Sequence, residues 1–320
     1  MPLLFSITTM VKRTLCFSNP AYLSLKNGQL EIKLPEIEKS NLPERMKFDS
    51  IRSIPIEDIG MVILDNKQIS ITQAAIEALA ENNSALLSCD ERHMPQGLML
   101  PLNGNTTQSE RYKDQIESTL PLKKQIWQQT IQYKIRNQAS VLSRISGVEV
   151  GNMLVWANSV KSGDSDNLEG RAAAYYWRNL FPDNPQFVRD REEPGINALL
   201  NYGYAILRAV IARSLVASGL LPTLGIHHHN KYNAYCLADD IMEPYRPYVD
   251  ELVIGVIRKR GINNEIDIET KRDLLGIPVI DTIMDGERRP LMIAAGDTAA
   301  SLNKCFSGEV RKVKYPSMPI

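Results

Sequence analysis

The 320-residue sequence contains few histidines and cysteines, and it has no excess of charge of either sign. Its four cysteines, Cys16, Cys89, Cys236 and Cys305, are scattered and form no Cys-x-x-Cys pair. This pattern argues against a disulfide framework or a structural zinc site, and we expect reduced thiols in a cytoplasmic protein. Since 37 basic residues balance 37 acidic residues, any attraction to nucleic acid must come from local basic patches.

No apolar run reaches the ~18 residues that a membrane-spanning helix needs, so we expect no membrane association. The N-terminal stretch places no positive residue before its short apolar run, which argues against a signal peptide. Met10 is an alternative start, with residues 1–9 as an upstream extension. The sequence also lacks a phosphate-binding loop, a dinucleotide-binding glycine motif and a nucleophile elbow. Their absence argues against a nucleotide-driven motor, a dehydrogenase and a serine hydrolase.

The spacing of apolar residues changes near residue 109, which predicts two domains. Alternating residues at 22–25 and 29–34 predict two strands, with Asn27-Gly28 as the tight turn between them. Short apolar runs at 61–64 and 85–87 predict buried strands, and Thr72 is placed to cap a helix. We therefore predict an α+β protein with a small N-terminal β-rich domain at 1–101, a linker at 102–108 and a larger all-α domain at 109–320.

The second domain has the apolar spacing of helices, which are predicted at 121–145, 168–180, 196–218, 235–242 and 247–257. Gly219 and Pro222 form a usual stop signal after the third of these helices. Periodicity is weak beyond Arg258, so we expect short helices, loops and some disorder there.

Three of the four histidines form the tripeptide 227–229, in a loop between two predicted helices. Shortly downstream, Asp239 and Asp240 lie four and three residues before Glu243, so either can share a helix face with it. Clustered carboxylates repel unless a cation lies between them, and mixed histidine and carboxylate ligands suit Mn²⁺ or Mg²⁺ better than structural zinc. The alternative is a solvated acidic face after a polar loop.

A further carboxylate, Glu169, opens a predicted helix whose Gly170 and 172–174 alanines leave one side without bulk. Small residues allow close approach of a ligand or of another backbone. The alternative is tight helix packing, with Glu169 as an acid that the helix dipole stabilises in the first turn.

A basic stretch follows the linker, since residues 119–148 contain no acidic residue. Such a surface, with Trp127 and Tyr133 interleaved, supplies salt-dependent affinity for DNA phosphates, whereas the alternative is a solvated helix face. The candidate DNA-binding residues in this stretch and beyond it are Lys123, Lys124, Lys134, Arg136, Arg189 and Arg191.

From about residue 12 to about residue 257, the sequence resembles the CRISPR-associated integrase family, the catalytic large subunit of the spacer-acquisition complex. It is most similar to the type II members, which accompany a single large RNA-guided effector nuclease. The motifs include Glu169-Gly170-Arg171-Ala172-Ala173, Gly225-Ile226-His227-His228 and Asp240-Ile241-Met242-Glu243-Pro244.

The resemblance implies a catalytic metal site formed by Glu169, His228 and Glu243, with Mg²⁺ or Mn²⁺ as the cofactor. His227 stands where the family has an apolar residue, so the neighbouring histidines remain alternatives. Asp240 and Arg246 are implied as auxiliary residues. The implied reaction is the insertion of short DNA fragments into a repeat array, in which a 3′-hydroxyl attacks a phosphodiester by transesterification.

The resemblance also implies partners. It implies a homodimer paired through the β-rich domains, and two such dimers on a dimer of a small companion protein, in a four-to-two complex. The DNA partners would be a duplex fragment with 3′ ends and repeat DNA. Two alternatives remain, a stand-alone metal-dependent nuclease for branched or repair DNA and a non-catalytic DNA-binding scaffold.

Overall fold

The computed structural model describes residues 11–38, 44–49, 51–190, 193–262 and 266–319. The chain divides after Pro101 into two compact units, Met1–Pro101 and Leu102–Ile320. Two residues named above, Met10 and Arg191, lie outside the described residues. The first unit is rich in strands and the second is mostly helical, which confirms the predicted α+β fold class.

The first unit contains two four-stranded sheets, in the orders β1-β5-β7-β8 and β4-β3-β2-β6. In the first sheet β1, β5 and β7 are parallel, and β8 is antiparallel to β7. In the second, β3 pairs antiparallel with β2 and β4, while β6 is parallel to β2. The strands are β1 (Arg13–Phe17), β2 (Ala21–Lys26), β3 (Gln29–Lys33), β4 (Arg52–Pro55), β5 (Ile59–Leu64), β6 (Ile69–Ile71), β7 (Ala85–Cys89) and β8 (Pro95–Met99). The helices are α1 (Pro35–Glu38), α2 (Glu44–Asp49) and α3 (Gln73–Glu81).

Local sequence signals explain this unit well. Asn27 and Gly28 have φ angles of 51° and 72°, the positive values that a tight turn between β2 and β3 requires. Thr72 caps α3 by accepting a hydrogen bond from Ala75 N at 3.4 Å, as predicted. The core lies where Val62 of β5 packs with Leu79 of α3, and both side chains are buried.

The second unit has nine helices within the described residues. They are α4 (Gln108–Glu117), α5 (Leu120–Ser146), α6 (Gly151–Ser159), α7 (Leu168–Leu180), α8 (Ile196–Ala217), α9 (Cys236–Met242), α10 (Arg246–Arg260), α11 (Ile268–Leu274) and α12 (Leu291–Phe306). A hairpin of β9 (Asp281–Met284) and β10 (Glu287–Pro290) precedes α12. The segment before α4 contacts the end of α8, since Asn105 Nδ2 donates to Ala217 O at 3.1 Å.

Two long helices form the centre of this unit. Thr119 caps α5, and Gly147, with a φ of 61°, ends it. Helix α8 packs against α9, α10 and α12. By length and composition α8 is apolar enough to span a membrane, with a mean hydropathy of 1.2, but 78% of its apolar window is buried inside the protein. That burial is typical of a core helix.

The C-terminal region is more regular than its sequence predicts. It contains the predicted short helices and loops, such as α11, but also the 16-residue α12 and the β9–β10 hairpin, and the hairpin departs from the predicted all-α domain. The buried side chains of α12 lie on one side of the helix, and the exposed Ala300 and Lys304 lie on the other. The last described residues lie along α5, where Ser140 Oγ donates to Met318 O at 3.0 Å.

Candidate functional site

Glu169 lies in the first turn of α7, and two side chains cap that turn. Asp164 accepts hydrogen bonds from the backbone nitrogens of Leu168 at 2.9 Å and Glu169 at 3.0 Å. Asn167 accepts one from Gly170 N at 3.3 Å. Asp164 and Asn167 both have a φ of 51°, which acidic and amide side chains tolerate better than most. The caps satisfy the free donors of the helix and hold Glu169 at its positive end.

Glu243 lies in the short 3-10 turn Glu243–Tyr245 between α9 and α10, and only 5% of it is exposed. Its Oε1 accepts a hydrogen bond from Arg246 Nε at 2.8 Å, and its Oε2 lies 2.6 Å from Lys134 Nζ. Burial alone would raise the pKa of Glu243, but the charges of Arg246 and Lys134 outweigh burial and lower that pKa to about 2. Glu243 is therefore ionised at neutral pH.

Lys134 of α5 lies between Glu169 and Glu243, which we call the carboxylate pair. Its Nζ is 2.6 Å from Glu169 Oε1 and 2.6 Å from Glu243 Oε2, and its side chain is 11% exposed. Burial would lower the pKa of Lys134, but the charges of Glu243 and Glu169 raise it above its ordinary value. One positive charge thus joins carboxylates from two separate elements.

This position corrects the prediction that Lys134 belongs to a DNA-facing surface. Lys134 follows the fully buried Ile131 by three residues, so both lie on the face of α5 that points into the unit. The lack of acidic residues in a stretch of sequence does not show that each basic residue in it is exposed. Lys134 pairs with Glu169 and Glu243, which lie outside α5.

His228 lies in the loop between α8 and α9, and Asp240 of α9 organises that loop. The buried Asp240 carboxylate accepts hydrogen bonds from the backbone nitrogens of Ile226, His227 and His228, at 2.7, 3.0 and 3.2 Å. Its Oδ1 also lies 2.5 Å from His228 Nδ1. A Cβ at Gly225 would lie 2.3 Å from His228 O, so only glycine fits where this loop begins. Asp240 therefore sets the orientation of the His228 ring.

Asp240 also determines which nitrogen of His228 can bind something else. The hydrogen bond to Asp240 raises the pKa of His228, and the charges of Glu243 and Glu169 add to the shift. Those charges act on His228 because the carboxylate pair is near it. With Nδ1 bound to Asp240, Nε2 is the nitrogen available to a ligand, in the arrangement that metal-binding histidines usually adopt.

The neighbouring His227 has a different environment. Its ring is stacked on Trp127, with centroids 4.1 Å apart and an angle of 1° between the planes. Burial lowers the pKa of His227, so its ring is mostly neutral at pH 7. The structure thus distinguishes His228, which an acid orients, from His227, which packs against an aromatic ring.

The three predicted metal ligands therefore do not form a complete metal-binding group in the structure. Among the residues that the structure describes, no three His, Cys, Asp or Glu side chains form a group that could hold a metal ion. The carboxylate pair converges on Lys134, and His228 lies within its electrostatic influence. Glu243 Oε2 is buried, and the Lys134 ammonium lies 2.6 Å from it. A buried carboxylate oxygen that is paired with a positive charge fits a cation in the same position.

Comparison with known proteins identifies the family. A family model described as CRISPR associated protein Cas1 matches residues 15–277, more than half of the chain. The chain belongs to the CRISPR-associated protein Cas1 family. It is 37% identical over 272 residues to the CRISPR-associated endonuclease Cas1 of Neisseria meningitidis serogroup C (strain 8013), a match that covers 83% of each chain.

Two solved structures resemble this Cas1 family member. A casposase bound to integration product matches with a TM-score of 0.74 and 20% identity, over 95% of this chain and 92% of that one. A Cas6-RT-Cas1--Cas2 complex matches with a TM-score of 0.71 and 21% identity, over 95% of this chain and 36% of that one. At these identities the likeness shows a shared fold.

The remaining candidate DNA-binding residues of this Cas1 family member fall into two groups. Lys124 is exposed, and the half-buried Lys123 lines a cleft of about 410 Å³ together with His228. By contrast, Arg136 donates to Asn158 Oδ1 at 2.9 Å, and Arg189 donates to Asn197 Oδ1 at 2.8 Å. The cleft therefore connects the start of α5 with the histidine loop, whereas both arginines also make contacts within the unit.

No sequence motif predicted the buried network behind Glu243. Asp250 of α10 accepts a hydrogen bond from Tyr176 OH at 2.9 Å and a very short one from Tyr204 OH. Burial raises the pKa of Asp250 to about 6, against the opposing effect of these two hydrogen bonds. The Arg246 guanidinium lies 4.5 Å from the centre of the Tyr204 ring, so the network supports the arginine that holds Glu243. No local motif marks it, because its members lie on three different helices.

Proposed function

We propose that this Cas1 family member is a metal-dependent DNA endonuclease and integrase, and that Glu169, His228 and Glu243 form its catalytic site. The observation that carries the proposal is the convergence of two carboxylates from separate elements on one buried positive charge, beside a histidine that Asp240 orients. The family supports the activity, since the relative from Neisseria meningitidis is named an endonuclease.

A divalent cation suits these residues. Glu169 and Glu243 offer carboxylate oxygens, and His228 offers Nε2, a set of donors that fits Mg²⁺ or Mn²⁺. When bound, such a cation polarises a phosphate and stabilises a leaving oxygen. Asp240 keeps the His228 ring oriented, and Arg246 keeps the Glu243 carboxylate in place.

The reaction that we propose is the insertion of short DNA fragments into a CRISPR repeat array. A 3′-hydroxyl of the fragment attacks a phosphodiester of the repeat, one new phosphodiester forms and one breaks, and a 3′-hydroxyl leaves. Because one such bond replaces another, no nucleotide hydrolysis is needed, which agrees with the missing phosphate-binding loop. The likeness to a casposase bound to integration product supports strand joining rather than cleavage alone.

The assembly belongs to the same proposal. We infer a cytoplasmic homodimer that pairs through its first unit and joins a Cas2-like companion dimer in a four-to-two complex on DNA. The likeness to part of a Cas6-RT-Cas1--Cas2 complex supports the companion. None of the four cysteines, which all lie within the described residues, forms a disulfide, and this suits a reducing compartment.

Strand transfer tests the proposal directly. The wild-type protein, with its companion and a labelled duplex fragment, should join the fragment to a supercoiled repeat plasmid in Mg²⁺ or Mn²⁺, and EDTA should abolish the product. Cleavage of branched DNA without any joined product would instead indicate the stand-alone nuclease. Tight duplex binding with neither product in either metal would indicate the non-catalytic scaffold.

A further inference from the structure

Lys134 occupies an unusual position for a lysine. Its ammonium contacts Glu169 and Glu243 at 2.6 Å each, and it reaches them from the middle of α5, which carries none of the proposed ligands. Two carboxylates this close to one another would repel without a cation between them. Lys134 therefore performs, within the chain, the electrostatic task that the proposed divalent cation would also perform.

The two basic residues at Glu243 differ in how firmly they are held. Arg246 donates from Nε to Glu243 Oε1 at 2.8 Å, and its guanidinium also lies over the Tyr204 ring. Lys134 lies 2.6 Å from Glu243 Oε2, and no aromatic ring holds its ammonium among the contacts described. An ammonium is a compact charge on a flexible stem, so it can leave a site that a planar, doubly anchored guanidinium cannot.

We propose that Lys134 is an exchangeable counter-cation, which holds the carboxylate pair before a divalent cation binds and leaves it when the divalent cation arrives. This inference rests on the proposed function, which places the divalent cation on the same two carboxylates. It explains how the two adjacent acids of the site are neutralised without a metal. It also implies that Lys134 weakens metal binding, because each binding event must break two ion pairs.

Metal affinity without DNA tests this inference. Mn²⁺ binding to the full chain is measured by electron paramagnetic resonance for wild type, Lys134→Met and the control Lys304→Met. Lys304 is an exposed lysine on α12, so its removal changes net charge by the same amount. Methionine matches the lysine stem in size without its charge. Lys134→Met should bind Mn²⁺ at least ~10-fold more tightly than wild type, since the competing charge is gone, and Lys304→Met should bind as wild type does.

Thermal unfolding provides a second readout. In EDTA, Lys134→Met should melt at a lower temperature than wild type, because the buried Glu243 and the partly exposed Glu169 lose their shared partner. Saturating Mn²⁺ should raise its midpoint by more than it raises that of wild type, as tighter binding to the native state requires. A variant that folds only with Mn²⁺ would support the exchange as well.

The outcomes separate this inference from the proposed function. If wild type binds Mn²⁺, Glu243→Gln loses binding and Lys134→Met binds no more tightly than wild type, the exchange is wrong and the metal site stands. If wild type binds no Mn²⁺ at all, both proposals fail.

A measurement on the wild-type protein avoids any folding defect. Acetic anhydride should label Lys134 slowly in EDTA, where its ammonium is held by the carboxylate pair, and faster in saturating Mg²⁺. Labelling of Lys304 should be the same in both conditions. Equal or slower labelling of Lys134 in Mg²⁺ would show that the lysine stays in place, and the exchange would then be rejected.

Discussion

At the residue scale, Glu169 combines a local role with a long-range one. Its backbone nitrogen is capped by Asp164, while its carboxylate contacts Lys134, 35 positions earlier in the chain. The side chain is 24% exposed, much more than that of Glu243. Its removal should therefore disturb the chemistry of the site far more than the stability of the fold.

The first prediction follows from this difference. Glu169→Ala should lower strand transfer by at least ~10² to 10³, the typical loss when one preorganised electrostatic group is removed. Duplex affinity should remain, because DNA affinity comes mainly from basic side chains. Strand transfer, duplex affinity and the thermal midpoint are measured together, with the exposed Glu149→Ala as the matched control. Strand transfer by Glu169→Ala at the rate of the control would end the proposed mechanism.

The pKa of Glu243 leads to a prediction about pH. Because its folded pKa is about 2 and its ordinary pKa is 4.5, Glu243 stabilises the fold above about pH 4.5, and this contribution is lost as pH falls towards 2. Glu243→Gln should thus lower the free energy of unfolding more at pH 7 than at pH 4, with a difference on the order of 1 kcal/mol. Urea denaturation of both proteins at the two pH values checks this, and an equal loss at both would contradict it.

At the scale of elements, the loop 225–229 depends on one carboxylate of the following helix. Asp240 accepts three backbone hydrogen bonds from this loop and also orients His228. Asp240→Asn replaces one acceptor oxygen by an amino group, which faces donors that it cannot satisfy. We predict a loss of ~10- to 100-fold in strand transfer, as is typical of residues that support a metal-binding histidine.

The matched control for this loop is Asp166→Asn, since Asp166 is an exposed acid in the turn before α7. Stability should fall by about 1 to 3 kcal/mol for Asp240→Asn, because a buried acceptor of several hydrogen bonds is lost. Thermal unfolding and strand transfer should both change in Asp240→Asn, and neither should change in the control. Wild-type strand transfer by Asp240→Asn would contradict the proposed role of His228.

The N-terminal end of helix α5 lies at the cleft, and the middle of the helix carries Lys134, which contacts the carboxylate pair. Lys123 and Lys124 belong to that end, so the double variant Lys123→Ala/Lys124→Ala should weaken duplex binding to a similar degree for all sequences. The salt dependence should also flatten, by up to about 0.9 in the logarithmic slope for each lost phosphate contact. Fluorescence anisotropy over a salt series measures both effects.

The control for the cleft is Lys259→Ala/Lys304→Ala, which removes two charges from α10 and α12. An affinity and a salt slope equal to those of this control would show that the cleft end of α5 points into solvent and binds no DNA.

At the scale of the whole molecule, the proposed dimer would cover exposed apolar side chains of the first unit. Leu34, Met46 and Met99 are 42%, 58% and 47% exposed. We predict a particle of about twice the 36.0 kDa chain mass by light scattering at micromolar concentration, without DNA. Met99→Glu on the edge strand β8 should weaken the dimer, whereas Val155→Glu on α6 of the second unit should not. A monomer for the wild-type protein would contradict pairing through this unit.

Much of the fold follows from local signals in the sequence. Asn27-Gly28 specifies the β2–β3 hairpin because its positive φ angles depend only on those two residues. Thr72 and Gly219 mark helix boundaries for the same local reason. The sequence analysis did not predict α12, although the buried residues of this helix recur at helical spacing on one face.

For the site, the sequence by itself determined which side chains are candidates, since Glu169, His228, Asp240 and Glu243 stand in motifs with chemically competent groups. Only the tertiary structure decided how they are used. It places Lys134 between two acids from other elements. It also joins His228 to Asp240 by a hydrogen bond and stacks His227 on Trp127. The physical reason is that charge pairing and burial depend on neighbours far apart in the chain, whereas motifs and periodicity record neighbours close together.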